Sequence, residues 1–328
     1  MFSYIREIII DLSSFVFHKH ESGDSHIYRQ MSHTILKIGG IHEKLNKLGV
    51  VLLASGLLLT ACAKSGNSSP TSSKLTASEQ KQLKQATSDY KTFVEGEIDQ
   101  LLKDTEGFSE TLKSGNLEEA KKQYPLVRMA YERSEPIAES FGESDVKIDY
   151  RLVDYMDENK SEDGWSGFHR IERIMWQDNT TDGTATYADQ LVKDIKELKA
   201  KIATVKVTPD IMLTGAVDLL NEVATQKITG EEEVFSHTDL YDFRANIQGA
   251  EKIFELFKPL IEKKDAKLVK TLETKFKNVN GLLNKHMIDD KNYKSYTDLS
   301  ETDTKELAEA VTKLGEPLSQ MGVILDGK

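Results

Sequence analysis

From about Thr76 onward, apolar side chains recur at intervals of three and four, and no clear alternating strand pattern competes with them. A helical fold is the consistent reading. The first stripe takes in Leu83, Ala86, Tyr90, Phe93, Val94, Ile98, Leu101, Leu102 and Phe108. It stops at Gly115, where Asn116 and Glu119 have the spacing of an N-cap followed by a first-turn acid. A second helix is predicted to run to about Phe141-Gly142, punctuated by Pro125 and Pro136. A short helix is expected around Tyr150–Asp157, and another from about Ser166 to Trp176. Others follow over 185–204, over 209–228 after the Thr208-Pro209 start signal, and over 238–262, 266–288 and 303–323. The fold class is therefore all-α, an arrangement of up-and-down helical bundles, with two packed four-helix-type bundles expected. No internal repeat of fixed period is found, which sets a solenoid aside.

Ahead of the helices, Lys44 and Lys47 precede the apolar stretch Leu48–Leu59, then Thr60-Ala61-Cys62 and the polar run Ala63–Ser73. A basic end, an apolar core too short for a bilayer and small residues at a cut site describe a secretory signal. Leu59-Thr60-Ala61-Cys62 resembles the bacterial lipobox, and by that resemblance Cys62 becomes the lipidated first residue of the mature protein. A buried apolar helix with a chance cysteine is the alternative. Cys62 is the sole cysteine, so no intrachain disulfide can form. The expected location is extracytoplasmic, lipid-anchored to the bacterial cell membrane. Residues 1–44 make an unusually long front for such a signal, so translation is expected to begin later, at Met31 or at Leu45 read from an alternative start codon. Residues 1–61 are thus a signal peptide with an over-extended N-terminus, 62–75 a lipidated Cys and flexible tether, and 76–328 the helical domain.

Charge narrows the function. The chain carries 43 Lys+Arg against 54 Asp+Glu, and residues 1–61 are +1 while the remainder is −12. Nucleic acid is excluded as a partner, because binding it requires Lys and Arg to neutralise phosphates. The acidic surface suits a cation instead. Only His169, His237 and His286 follow the leader, so any imidazole chemistry must use these three.

Gly164–Trp176 holds both tryptophans and one of these histidines. At about 100° per residue, His169 and Glu172 lie roughly 60° apart on one helix face, within reach of one ion. Glu172 falls inside the apolar stripe of Trp165, Ile171, Met175 and Trp176, with His169 on its flank. A carboxylate there is costly unless neutralised, paired or metal-bound. The spacing alone is weak, since His286-Met-Ile-Asp289 shares it and reads as a solvated helix end. Glu97 interrupts the first stripe in the same way, Glu135 edges the face of Leu126, Ala130, Ile137 and Phe141, and Asp149 precedes Tyr150-Arg151. Pairing with Arg133 or Arg151 is the plainer explanation for these acids. Taken together, inward carboxylates and one imidazole suit iron, manganese or zinc, with no thiolate to favour copper(I). In Ser236–Asn246, Asp239 and Asn246 fall near the apolar face and His237 outside it, so that His237 and Asp239 either line a pocket or cap a long helix. No phosphate loop, nucleophile elbow or His-Glu-x-x-His occurs.

Gly167-x-His169-x-x-Glu172 resembles the signature of the imelysin-like family. Tyr131–Glu139, Ile148-Asp149, Gly167–Glu172, Ile228–Glu232 and Ser236–Leu240 with Asp242-Phe243 and Ala245-Asn246 are similar, in that order, to the EfeO/EfeM-type iron-uptake lipoproteins. The likeness covers roughly residues 76–325. It implies a pair of helical bundles with a metal site near the His-x-x-Glu helix. It implies too an extracytoplasmic component that binds iron as Fe2+ or Fe3+, with zinc or manganese as other occupants, beside an iron permease and a haem-dependent peroxidase. Carried over residue by residue, the ligand candidates are His169 and Glu172, then Asp149, Glu132 and Glu135. Glu97 is added from the stripe argument. Longer members carry an N-terminal cupredoxin-like domain, for which the dozen tether residues after Cys62 leave no room. An imelysin-type metallopeptidase, with a metal activating water, is the alternative function. A structural surface lipoprotein whose inward acids are merely salt-bridged is a third.

Overall fold

Ten α-helices and no β-strand make up the described residues, 75–325 of the computed structural model. The leader, Cys62 and nearly all of the tether lie outside the described residues. In chain order the helices are α1 (Ala77–Lys113), α2 (Leu117–Ala138), α3 (Gly142–Ile148), α4 (Leu152–Asn159), α5 (Phe168–Trp176), α6 (Thr184–Thr204), α7 (Pro209–Thr225), α8 (Asp239–Ile261), α9 (Ala266–Asn284) and α10 (Glu301–Leu325). The all-α class expected from the sequence is what is observed.

Local chemistry sets the helix starts. Thr76 and Glu79 form a capping box, in which the Thr76 hydroxyl accepts the Glu79 N–H and the Glu79 carboxylate accepts the Thr76 N–H at 2.7 Å. Asn116 accepts from Glu119 N–H at 3.2 Å, Thr208 caps α7 with Pro209 behind it, and Asp265 caps α9. α2 continues through Pro125 and extends as far as Ala138. The 143–149 stretch, which shows no clear period, contains the seven-residue α3. Its importance is positional, because Asp149 is its C-terminal cap.

α1 packs on α2 and α6, and α5 packs on α6 and α2. α7, α8, α9 and α10 form a second group, in which α10 lies against α7 and α9. α2 and α8 pack against each other and merge the two groups into one continuous apolar core. Their approach is close enough that a Cβ on Gly249 of α8 would lie 2.6 Å from the Arg133 carbonyl oxygen of α2. Only glycine allows that separation. This closeness matters because the polar groups described next project from facing turns of these two helices.

Candidate metal centre

α2 points Arg128, Glu132 and Glu135 inward at spacings of four and three, so they fall on one face, and all three are buried. α8 contributes Asp239, Asp242 and Asn246 from its first two turns, likewise buried. Asp149 enters from the end of α3, His169 and Glu172 from α5, and Lys227, Glu232 and Glu233 from the segment between α7 and α8. Eight carboxyl groups thus share the interior with two buried cations, Arg128 and Lys227. An acid excess of this kind cannot stay fully ionised in a low-dielectric interior. Burial accordingly pushes the carboxyls of Glu135 and Asp242 well above the usual range and that of Asp239 up to about 7.

The imidazole of His169 stands at one side of this interior. Its Nδ1 lies 3.3 Å from Glu172 Oε2, and Nε2 lies 3.6 Å from Asp149 Oδ1 with no hydrogen-bond partner. Glu172 is itself anchored, since its Oε1 accepts N–H groups from Phe235 at 3.0 Å and Ser236 at 2.7 Å. Burial works against its charge, but the His169 ring, Glu233 and the Ser236 N–H outweigh it and hold the carboxyl below its ordinary value. An ionised Glu172 can accept a proton from Nδ1, and in the tautomer that donates there Nε2 offers its lone pair. Among the described residues two sets of ligand atoms converge within 4.8 Å of one another, Asp149/His169/Glu232 and His169/Glu172/Glu233. In the first set it is Nε2 that faces Asp149, at 3.6 Å. A cleft of about 230 Å³, lined by Arg151, Leu152, Val153, Val234 and Phe235 among others, reaches His169, Glu172 and Glu232 from solvent.

Gly167 fixes where this imidazole sits. Its φ is +87°, and a Cβ there would lie 2.3 Å from the Ile148 carbonyl oxygen. Any side chain would push the start of α5 away from the end of α3, and with it His169 from Asp149.

The other side of the interior is built around Lys227. Its ammonium, 1% exposed, lies 3.0 Å from Glu132 Oε2, 2.9 and 3.1 Å from the Glu135 oxygens and 3.3 Å from Glu232 Oε1. Burial disfavours its charge, but Glu132, Glu135 and Glu232 more than compensate and hold it protonated. Asn246 Nδ2 donates to Glu132 Oε2 at 3.0 Å and Glu135 Oε2 at 2.7 Å. Between the two sides, Arg128 pairs with Asp149, with Glu132 at 2.6 Å and with Glu233 at 2.5 Å.

Residues 86–321 match the family model described as Imelysin. The chain belongs to the imelysin family. Among its relatives, an EfeM/EfeO family lipoprotein of Staphylococcus haemolyticus (strain JCSC1435) is 50% identical over 289 residues, covering 86% of this chain and all of the relative. An EfeM/EfeO family lipoprotein of Staphylococcus aureus (strain MSSA476) is 52% identical over 246 residues, covering 75% of this chain and 86% of the relative. The resemblance drawn from the Gly-x-His-x-x-Glu block and its companions is therefore shown across most of the chain.

In this imelysin-family chain, three of the sequence candidates come together, His169 and Glu172 lining the cleft and Asp149 beside the His169 ring. Glu132 and Glu135 are buried in the same interior, but their nearest cations are Arg128 and Lys227. Glu97 stands apart on α1, where Arg133 Nε binds it at 2.8 Å; pairing, the plainer explanation, is what is found there. Asp239 is buried and accepts the Glu233 N–H at 3.2 Å. His237 takes part through its backbone, donating N–H to the Glu233 carbonyl at 2.7 Å and accepting from Tyr296 N–H at 2.9 Å. Tyr296 also donates its hydroxyl to the Ile228 carbonyl, so it pins both ends of the segment that carries Glu232 and Glu233.

Arg128, Lys227, Glu232, Glu233 and Asp242 join the site without having been singled out. Glu232, Glu233 and Lys227 sit in a connection with little regular structure, where no stripe exists to be interrupted. For Glu232 the signal available was the Ile228–Glu232 block of the family resemblance, which Lys227 and Glu233 flank on either side.

Proposed function

We propose that the protein is the extracytoplasmic iron-binding component of an Efe-type uptake system, held at the cell membrane through a lipidated Cys62. It takes iron at the cleft and delivers it to a membrane permease, beside a haem-dependent peroxidase. The observation that carries this reading is the buried His169 ring, whose Nε2 has no hydrogen-bond partner and faces Asp149. A lone pair left free in a buried position, with carboxylates at hand, is suited to a cation. His169 Nε2, Asp149 and Glu232 are the proposed ligands, and Glu172 orients the ring from the far nitrogen. One nitrogen with carboxylate oxygens accommodates iron, and zinc or manganese as well. The acidic balance of the mature chain adds to the reading by concentrating cations near the cleft. The names of the EfeM/EfeO relatives point the same way.

Glu172 bears on the peptidase alternative. With both oxygens already engaged by His169 and two backbone N–H groups, it is a poor general base for water. Equilibrium titration of the full-length chain with iron, beside His169→Ala and Glu172→Ala, tests the binding reading. Unchanged affinity in both variants would reject the site. Peptide turnover that disappears in Glu172→Gln would restore the peptidase. Incorporation of labelled fatty acid into the wild type but not into Cys62→Ala is the expected result for the anchor.

A further inference from the structure

The Lys227 side has the composition of a hard-cation site, yet its centre is filled by the chain's own ammonium. Glu132, Glu135 and Glu232 surround Nζ at 2.9–3.3 Å, and Asn246 completes the ring by donating to two of the same carboxylates. Such a set of oxygens, drawn inward by less than an ångström or so, would match the roughly 2.0–2.6 Å distances at which manganese, magnesium or calcium takes carboxylate ligands. An ordinary structural salt bridge uses one carboxylate, whereas this lysine uses three and is almost fully buried. Asn246 Oδ1, also buried, has no partner, so a neutral oxygen remains unused beside the ring.

We propose that Lys227 is a tethered stand-in for a metal ion, filling a second carboxylate cage so that the chain takes one fewer cation than its acids could hold. The inference deepens the iron-binding reading by setting the capacity of the site. It rests on that reading only for the cation at His169. Lys227 occupies Glu132 and Glu135, and those two carboxyl groups no longer compete for the incoming ion. Glu232 is the link, since it touches Lys227 at 3.3 Å and also belongs to the Asp149/His169 set. The ammonium therefore limits how strongly Glu232 can bind cargo, which favours a site that releases what it captures.

The test is a count. Full-length wild type, Lys227→Ala and Lys227→Ala/Glu135→Gln are titrated with Mn2+, with free metal read by its electron paramagnetic resonance signal and folding by circular dichroism. Lys227→Ala is expected to bind one more Mn2+ per chain than wild type, and the double variant to lose that extra ion. An equal count in folded wild type and Lys227→Ala overturns the proposal. Should Lys227→Ala lose its helical signal without metal, Lys227→Gln is titrated alongside. Recovery of the helical signal on adding Mn2+, absent in the Glu135→Gln double variant, is then the supporting result, and no recovery in either single variant is the refuting one. A wild type that binds no Mn2+ leaves the iron-binding reading to its own iron titration, while the difference between wild type and variant still decides the role of Lys227.

Discussion

The His169 side and the Lys227 side of the buried interior use the same material in opposite ways. Both gather carboxylates, the His169 side from the end of α3, from α5 and from the segment between α7 and α8, the Lys227 side from α2 and that same segment, with Arg128 between them. At Lys227 the positive charge is covalently part of the chain, every carboxylate oxygen near it is engaged, and solvent is shut out. At His169 the ring has a nitrogen to spare, and a cleft leads in. An interior rich in acid is thus not in itself a metal site. On the proposed reading, what separates the two sides is that the cation at Lys227 is built in, whereas the ring nitrogen of His169 is left for one that arrives.

The sharpest way to break this comparison is to remove the cation that both sides share. Arg128→Met leaves Asp149, Glu132 and Glu233 without their common partner, and unfolding the metal-free protein in urea should show a loss of about 3–5 kcal/mol. A loss below about 1 kcal/mol would mean that Arg128 does not tie the sides together.

Next in size is the protonation of the acid excess. Asp239 has a folded pKa of about 7 against 3.8 as its ordinary value, so between these pH values the folded state holds a proton that the unfolded state has released. The sign follows: stability of the metal-free protein falls as pH rises from about 4 to about 7, by up to about 4 kcal/mol from this group. Asp239→Asn should flatten that fall without abolishing it, because Asp145, also pushed up to about 7 by burial, acts in the same direction. A curve identical to that of wild type would show that the excess is not stored as protons at Asp239.

His169→Ala should touch one side alone. Iron affinity is expected to drop about 100-fold, equivalent to about 2.7 kcal/mol, while unfolding of the metal-free chain changes less than in Arg128→Met. The smallest effect is expected outside both sides. Glu97→Gln should leave iron affinity unchanged and alter stability by no more than about 1 kcal/mol, because its partner Arg133 is at the partly exposed edge of α2. A large loss of iron binding in that variant would place Glu97 back among the ligands.

Glu97 and Glu172 show how far the sequence could be read. Each interrupts an apolar stripe, and helical period alone exposes both, just as it exposes the helices themselves. The difference between them lies in what reaches them from other elements, Arg133 of α2 for one and the backbone N–H groups of Phe235 and Ser236 for the other, beside its own helix neighbour His169. That is tertiary information, absent from any single stripe. Arg128 was hidden by the opposite habit, because an arginine on a long helix ordinarily reads as solvated, and only the convergence of five acids makes its burial tolerable. The α3 helix escaped because seven residues are two turns, too few for a period to declare itself.

The connection pinned by Tyr296 gives the two sides a common clock. Lys227, Glu232, Glu233 and the N–H donors of Phe235 and Ser236 all hang from one stretch of chain, fastened to Tyr296 near Ile228 and again at His237. Such a strap swings out as a unit or stays shut, so the amides of Phe235 and Ser236 should exchange with solvent at one rate, set by the parting of those two fastenings. On the proposed reading, release of a bound ion would depend on Tyr296, far along the chain from any ligand, as well as on the ligands themselves.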